Sequence, residues 1–242
     1  MFDAVGMIPQ RDFARAVAES FRTAFRENLV DWESVTVAGS CQTCQAMSIF
    51  AGVFTEEEAE IAFQRLLEMI QAQDNHMDIG VLGSRVLFQV LSRYGYSDLA
   101  LKMILHPTFP SYANWLERGA TTLWEDFQEN SVGSMNHHFW GSISAWFIKC
   151  LAGIKFNPHL HNTNEVEISP SFVEVLEHAE GFYEAPAGKI AASWKREKEG
   201  VLLSLEIPAG MCATVIAPKG YRFADGTAEK TVISGVYPMV QA

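Results

Sequence analysis

The first two thirds of the chain repeat apolar residues at helical spacing. Within residues 12–28 the apolar positions fall on one face of a helix, and the charged positions fall on the opposite face. The apolar positions are Phe13, Val17, Phe21, Ala24 and Phe25. This pattern predicts an amphipathic helix whose apolar face packs on another element.

Two further helices are predicted from their end signals. Residues 41–51 form an apolar run that Gly52 ends. Thr55 and Glu58 have the spacing of a capping box, which starts a third helix that runs to Ala72. The expected buried positions of that helix are Ala62, Phe63, Leu66, Leu67 and Ile70.

Glycine and proline residues divide the rest of this region into short helices. Gly80 and Gly83 punctuate a loop, and Gly95 separates two helices, of which Ser97 caps the second. The predicted helices are residues 86–91, 97–107, 111–118 and 141–151. Short connections between successive helices indicate antiparallel hairpins, the pattern of an α/α barrel or array.

After Phe156 the apolar positions alternate, which predicts β-strands. The predicted strands are residues 166–168, 172–176, 190–194 and 201–207. Short strands at regular spacing favour an antiparallel β-sandwich. We therefore expect an α+β protein with a boundary near residues 157–164, a helical domain over residues 1–156 and a sandwich over residues 157–242.

The net charge of −11 in 242 residues argues against a nucleic-acid-binding role, since nucleic-acid-binding proteins cluster Lys and Arg. No apolar run is long enough to cross a bilayer, and the first ten residues lack the features of a secretion signal, so a soluble chain is expected. A role at an anionic membrane is disfavoured for the same reason as nucleic acid.

The four cysteines do not have the spacing of a disulfide scaffold, and we expect all of them to be buried thiols. Cys41 and Cys44 lack a second Cys or His pair at metal-ligand spacing, and His137 and His138 lack further ligands. The loop between Gly80 and Gly83 lacks the features of a phosphate-binding loop. We therefore expect neither a metal site nor a cofactor.

The segment of residues 112–153 combines aromatic residues with carboxylates and imidazoles. Flat aromatic faces can bury the apolar face of a sugar ring, while Asp and Glu bind its hydroxyls and move protons. This composition points to carbohydrate. The tryptophans of this segment are Trp115, Trp124, Trp140 and Trp146, and its polar candidates are Glu117, Glu125, Asp126, Glu129, Asn136, His137 and His138.

Glu125 is the leading catalytic candidate because it follows a short segment between two helices, where a loop can aim a carboxylate at a substrate. The alternative is that Glu125, Asp126 and Glu129 form a solvated acidic loop. Tyr112 and Trp124 lie near helix or loop ends and are candidates for sugar stacking, whereas core packing is the commoner fate of a helical tryptophan such as Trp115.

Several motifs resemble those of the bacterial α-L-rhamnosidases. They are the runs at residues 93–100, 106–112, 119–125 and 134–137, with Gly141-Ser142, Trp146, residues 151–154 and the strand-rich run at residues 188–194. Residues 40–43 and the helix after Thr55 are also similar, so the resemblance covers nearly the whole chain.

The resemblance implies a partial (α/α)6 barrel of helical hairpins followed by a β-sandwich, and hydrolysis of terminal α-L-rhamnosides with inversion. Glu125 matches the family's general base. An inverting mechanism also needs a carboxylic acid about 6.5–9.5 Å from the base. Tyr112, Trp124 and His137 match positions that resemble substrate-contacting ones in the family, with the histidine bound to a ring hydroxyl. Asn136 and Trp115 are further candidates for substrate binding. The expected partner is an L-rhamnose-containing glycoside.

The sequence also departs from the family pattern. The family's general acid lies in an earlier acidic, tryptophan-containing motif that does not occur here, so the acid is expected upstream and the isolated chain is expected to be inactive. Asp126-Phe127 stands where the family commonly has a basic residue and tryptophan. About half of a barrel is present, so an oligomer or an N-terminal remainder is expected to cover the open barrel face.

Two alternatives remain open at this point. The chain could be a non-catalytic carbohydrate-binding or assembly module that kept the fold. It could also belong to an inverting barrel hydrolase that acts on another deoxy sugar or on a uronic acid.

Overall fold

The structure is a computed structural model that describes residues 1–128, 130, 133–156 and 164–242. Residues 157–163 of the predicted domain boundary, and Glu129, fall outside the described residues. The helices are α1 (Ile8–Leu29), α2 (Gln42–Phe50), α3 (Glu56–Ala72), α4 (Val81–Ser84), α5 (Leu87–Arg93), α6 (Ser97–Ile104), α7 (Tyr112–Glu117) and α8 (Ser142–Trp146). A 3-10 turn (Asp3–Val5) precedes α1, and a π-helical turn (Phe147–Leu151) follows α8.

The strands form a small hairpin and two larger sheets. They are β1 (Val30–Asp31), β2 (Thr36–Val37), β3 (Ile154–Lys155), β4 (Glu165–Ile168), β5 (His178–Ala185), β6 (Gly188–Glu197), β7 (Gly200–Glu206), β8 (Cys212–Ile216), β9 (Tyr221–Phe223), β10 (Glu229–Val232) and β11 (Gly235–Gln241). The five-stranded sheet has the order β5-β6-β7-β11-β9 and is antiparallel. The four-stranded sheet has the order β10-β8-β4-β3, in which β4 and β8 are parallel. The predicted change from helices to mainly antiparallel sheets is confirmed.

Helix α3 forms as its sequence predicts. Thr55 accepts a hydrogen bond from the main chain of Glu58, whose carboxylate accepts one from Thr55 N at 2.8 Å, so the capping box is present. Its buried residues are the five that the spacing predicts, Ala62, Phe63, Leu66, Leu67 and Ile70. Local capping and one apolar face are therefore enough to define this element.

Helix α1 differs from the prediction in its packing. Every residue of α1, all of which the structure describes, remains at least partly exposed. Phe13 and Phe21, which the pattern places on a packed face, are 72% and 73% exposed. The helix is held at its C-terminal end, where Arg26 donates to both carboxylate oxygens of Glu58 and to Val53 O. Phe25, near this end, packs against the core, and the rest of the apolar face of α1 has no covering element among the described residues.

The predicted strand at residues 172–176 is wrong. Phe172 and Val173 are buried, but their segment is irregular because a side chain, and not a neighbouring strand, binds its main chain. Arg196 donates to the carbonyls of Phe172, Val173 and Leu176 at 2.8, 2.9 and 3.0 Å. An apolar run can therefore be buried without joining a sheet.

Three smaller predictions also need correction. Ser97 is not the N-cap of α6; it is the first helical residue, and its hydroxyl lies 2.8 Å from that of Ser171. Cys212 is only partly buried, as are Cys41 and Cys44, whereas Cys150 is buried as expected. The predicted helix at residues 141–151 is split, since it changes from α-helical to π-helical at Phe147.

One hydrophobic core joins the helices to the sheets. Trp194 on β6 is 1% exposed, and its indole N–H donates to Leu151 O at 2.8 Å, at the end of the π-helical turn. Phe172 packs against Trp194 with ring centroids 5.3 Å apart. Across the described ranges, none of the helices combines the length and the apolarity needed to cross a membrane.

Candidate active site

Two short segments between α7 and α8 lie side by side and carry the leading candidate residues. Glu125 N donates to Ser134 O at 2.8 Å, and His137 N donates to Leu123 O at 2.8 Å. These two main-chain bonds hold the segment that contains Glu125 against the segment that contains His137. The predicted catalytic residue and the predicted sugar-binding histidine are therefore brought together.

The carboxylate of Glu125 is half-buried and has a defined orientation. Its Oε2 accepts a hydrogen bond from Ser134 N at 2.8 Å, while its main-chain oxygen accepts one from the indole of Trp140 at 2.8 Å. Trp140 is 6% exposed, so it anchors this residue to the core. One carboxylate oxygen is thus fixed by the protein, and a fixed carboxylate is what a general base requires.

The ring of His137 is oriented by its own main-chain neighbour. Phe139 N donates to Nδ1 of His137 at 3.3 Å. Because Nδ1 accepts this bond, the proton of the neutral imidazole is on Nε2. Nε2 can therefore donate to a hydroxyl. The ring of His138 lies parallel to that of His137, with centroids 5.2 Å apart.

Trp124 and Asn136 lie in the same two segments. Trp124 is partly exposed, and the guanidinium of Arg118 lies 5.0 Å from its ring centroid. Asn136 is exposed, and its main-chain N–H donates to Ser134 Oγ at 3.2 Å. Both side chains flank Glu125 and His137 in the sequence and remain accessible to a ligand.

Tyr112 and Trp115 were expected to contact substrate, but both belong to the core. They are 8% and 2% exposed, which leaves little ring surface for a sugar. Tyr112 donates its hydroxyl proton to Trp140 O at 3.0 Å, and burial raises the pKa of Tyr112. Trp115 stacks on Phe127 with centroids 4.0 Å apart and donates to Asp126 O at 3.2 Å. Tyr112 and Trp115 lie on the buried face of α7 and support the loop that contains Glu125 from the side of the core.

Sequence reasoning missed two residues that position Glu125. Ser134 supplies the main-chain N–H to the carboxylate, and Trp140 supplies the indole N–H to the carbonyl. Ser134 begins one of the motifs quoted above, and that motif was the available signal. The main-chain N–H that donates to the carboxylate gives no sequence signal of its own.

The chain matches two family models that meet at the junction between its helices and sheets. Residues 9–151 match the bacterial alpha-L-rhamnosidase 6 hairpin glycosidase domain. Residues 164–230 match the bacterial alpha-L-rhamnosidase C-terminal domain. The chain belongs to the bacterial alpha-L-rhamnosidase family. The paired loop segments described above all lie within the part that matches the glycosidase domain.

Curated relatives agree with this assignment. The chain is 30% identical over 217 residues to an alpha-L-rhamnosidase of Alteromonas sp., which covers 86% of this chain and 23% of the relative. It is 30% identical over 213 residues to an alpha-L-rhamnosidase of Formosa agariphila, which covers 84% of this chain and 22% of the relative. The chain therefore spans about a quarter of the length of these relatives.

Solved structures share the fold. An alpha-L-rhamnosidase of Streptomyces avermitilis, complexed with L-rhamnose, superposes with a TM-score of 0.79 at 25% identity, over 91% of this chain and 23% of that chain. The alpha-L-rhamnosidase of Dictyoglumus thermophilum superposes with a TM-score of 0.85 at 23% identity, over 100% of this chain and 30% of that chain. The helices followed by sheets thus share their fold with part of each of these structures.

Proposed function

We propose that this chain supplies the general base and part of the sugar pocket of an inverting glycoside hydrolase that cleaves terminal α-L-rhamnosides. Glu125 is the base, and His137, Trp124 and Asn136 contact the sugar. Tyr112 and Trp115 position these residues from the core. The general acid comes from residues outside this chain, and so does the cover of the exposed apolar face of α1.

The observation that carries the proposal is the fixed carboxylate of Glu125 beside His137. The hydrogen bond from Ser134 N to Oε2 leaves Oε1 to receive a proton from water. In an inverting reaction the base removes that proton as the water oxygen attacks the anomeric carbon, while the acid protonates the leaving oxygen. The Nε2–H of His137 then donates to a sugar hydroxyl and fixes the ring relative to the attacking water.

The ligand and the length of one relative determine what we expect of this chain. L-rhamnose is the ligand of the Streptomyces avermitilis structure. Its enzyme is about four times as long as the part that this chain matches, so turnover by the chain alone does not follow. We expect the chain to bind L-rhamnose weakly and to leave an aryl α-L-rhamnoside intact.

A chimera provides a direct test of the base. Residues 1–242 would replace the matching quarter of the Streptomyces avermitilis enzyme, whose remaining residues would supply the other half of the barrel. We expect turnover of an aryl α-L-rhamnoside, and a fall in kcat of about 100- to 10,000-fold in Glu125→Gln, the usual contribution of general acid–base catalysis. Asp126→Asn is the matched control and should keep most of the activity.

A second measurement separates a base from a residue that only supports the fold. Azide can occupy the space left in Glu125→Ala and attack the anomeric carbon without needing a base, so it should restore turnover with an inverted glycosyl azide as product. Unchanged kcat in Glu125→Gln would refute the assignment. Rhamnose binding without turnover in a folded chimera would favour the non-catalytic alternative.

A further inference from the structure

Three side chains of types that can bind metal ions meet where two loops approach each other, away from Glu125 in the sequence. Asp74 and His76 follow α3, and His106 follows α6. One ligand atom from each residue lies within 4.8 Å of the other two. Because thirty positions separate His76 from His106, local sequence motifs do not reveal this cluster.

The hydrogen bonds of His76 show which nitrogen holds a lone pair. Its Nδ1 lies 2.9 Å from Gln73 O, and a carbonyl oxygen only accepts, so Nδ1 carries the proton. In the neutral ring, Nε2 is then an acceptor, and it lies 2.7 Å from Oγ1 of Thr108. A histidine whose second nitrogen donates to a main-chain carbonyl has the usual arrangement of a metal ligand.

His106 directs a second lone pair to the same place. Thr108 N donates to Nδ1 of His106 at 3.3 Å, so Nδ1 is an acceptor too, and it lies 3.0 Å from Oγ1 of Thr108. The hydroxyl of Thr108 has a single proton for the lone pairs of both histidines. One nitrogen lone pair is therefore left facing an oxygen lone pair, an arrangement that a bound cation would relieve.

The loop that carries Asp74 and His76 is held in a defined shape. Gln42, which is 1% exposed, donates to His76 O at 3.0 Å and accepts from Asp78 N at 3.1 Å. Asp74 and Asn75 have φ values of 52° and 61°, in the left-handed region that Asp and Asn enter more readily than other non-glycine residues. The buried side chain of Gln42 thus holds the main chain of this loop at His76 and Asp78.

We propose that Asp74, His76 and His106 bind one divalent transition-metal ion of the Zn²⁺ type. Two imidazole nitrogens and one carboxylate suit Zn²⁺, Co²⁺ or Ni²⁺ better than Mg²⁺ or Ca²⁺, which prefer oxygen ligands. Bonds of about 2.0–2.1 Å in a tetrahedral site place ligand atoms about 3.4 Å apart, so ligand atoms that lie within 4.8 Å of one another need to approach by at most about 1.4 Å. Water completes the coordination.

The ion would tie the loop after α3 to the loop that leads into α7. That second loop ends at Ser111, the N-cap of α7, whose hydroxyl donates to His106 O. Helix α7 carries Tyr112 and Trp115, which support the candidate active site. The role of the ion is therefore structural: it stabilises the loop that leads into α7 and does not contact the sugar.

The test uses the full chain titrated with Co²⁺, followed by its visible absorption, and with Zn²⁺ by calorimetry at a pH near 7.5. We expect one ion per chain. Loss of a single outer-shell partner commonly costs about 10- to 100-fold in affinity, so His76→Ala and His106→Ala should each weaken binding by about 100-fold or more. His178→Ala, which changes an exposed histidine on β5, is the matched control and should bind as the wild type does.

A cysteine variant tests whether the nearby thiols bind the ion in place of the histidines. Cys41 and Cys44 lie with their sulfur atoms 2.8 Å apart on either side of Gln42, so the double variant Cys41→Ser/Cys44→Ser must keep the Co²⁺ spectrum. Binding that is lost only in the cysteine variant, or kept in both histidine variants, would overturn the proposal. Circular dichroism verifies folding, and Asp74→Asn, at an exposed position, gives a weaker-binding variant should either alanine variant misfold. EDTA should lower the Tm of the metal-loaded wild type and leave that of His76→Ala unchanged.

Discussion

Replacing Arg26 by methionine tests what holds the long helix α1 to the rest of the chain. The guanidinium donates to Glu58 at 2.6 and 2.9 Å and to Val53 O at 2.9 Å, and it lies 4.5 Å from the ring centroid of Trp32. Methionine keeps the helix propensity and much of the stem but removes all of the donors. We expect the C-terminal half of α1 to detach.

The magnitude follows from the pKa of Glu58. The hydrogen bonds from Arg26 are the main cause that lowers this pKa from 4.5 to about 2. At about 1.4 kcal/mol per pKa unit the full shift corresponds to about 3 kcal/mol. The side chains are 28% and 27% exposed, and Thr55 contributes part of the shift, so solvent screening reduces the expected loss to about 1–2 kcal/mol.

The dependence on pH has a definite sign. A carboxyl whose pKa is lowered by folding stabilises the folded state above its ordinary pKa, and this contribution is lost as pH falls. The free-energy difference between the wild type and Arg26→Met should therefore be constant above about pH 5 and shrink between about pH 4.5 and pH 2.

Urea unfolding followed by circular dichroism at several pH values measures this difference, and limited proteolysis reports whether α1 becomes accessible. Arg15→Met, at an exposed position of the same helix, is the matched control and should be nearly neutral. Equal losses in the two variants, or a difference for Arg26→Met that persists unchanged down to about pH 2, would refute the assignment of the shift to this pair.

Three further substitutions test the core and the sheets. Gln45→Met should cost about 3 kcal/mol in urea unfolding because three main-chain groups lose their buried partner, whereas Gln64→Met on the exposed side of α3 should be nearly neutral. Gly200→Ala should lower the Tm markedly, since φ is 145° and a Cβ would lie 2.1 Å from Met239 O, and a Tm within error of the wild type would contradict this geometry. Trp194→Phe should cost about 2 kcal/mol through the lost N–H and a cavity, and near-neutrality would show that the indole is not needed where helices and sheets join.

Helix α3 and the strands β4, β6 and β7 could be predicted because their signals are local. The capping box of Thr55 and Glu58 lies within four residues, and the apolar face of α3 needs only one helical period. The alternation at residues 201–207 likewise corresponds to β7 (Gly200–Glu206). In each case the buried face follows directly from the spacing of the side chains.

Other features depend on partners that are distant in the sequence. Periodicity shows that α1 has an apolar face but cannot show whether a covering element lies among these residues. Irregular structure at Phe172 and Val173 depends on Arg196, more than twenty positions away. An apolar run is equally compatible with a strand and with a buried loop.

The candidate site shows the same division. Motif resemblance brought Glu125 and His137 into one hypothesis, and the structure places their segments side by side. The motif did not distinguish partly exposed aromatic residues from those that are buried in the core, so Tyr112 and Trp115 were grouped with Trp124. Which way a ring points depends on tertiary packing, which sequence spacing near a helix end does not encode.

The shared core of helices and sheets has a consequence for engineering. Trp194 is anchored to the last turn of the helical part. Cutting the chain between its two family-matched parts would therefore expose hydrophobic surface on each of them. The sheets and the helices stabilise each other through this common core. Swapping it between homologues should succeed only when the residues beneath Trp194 are exchanged with it.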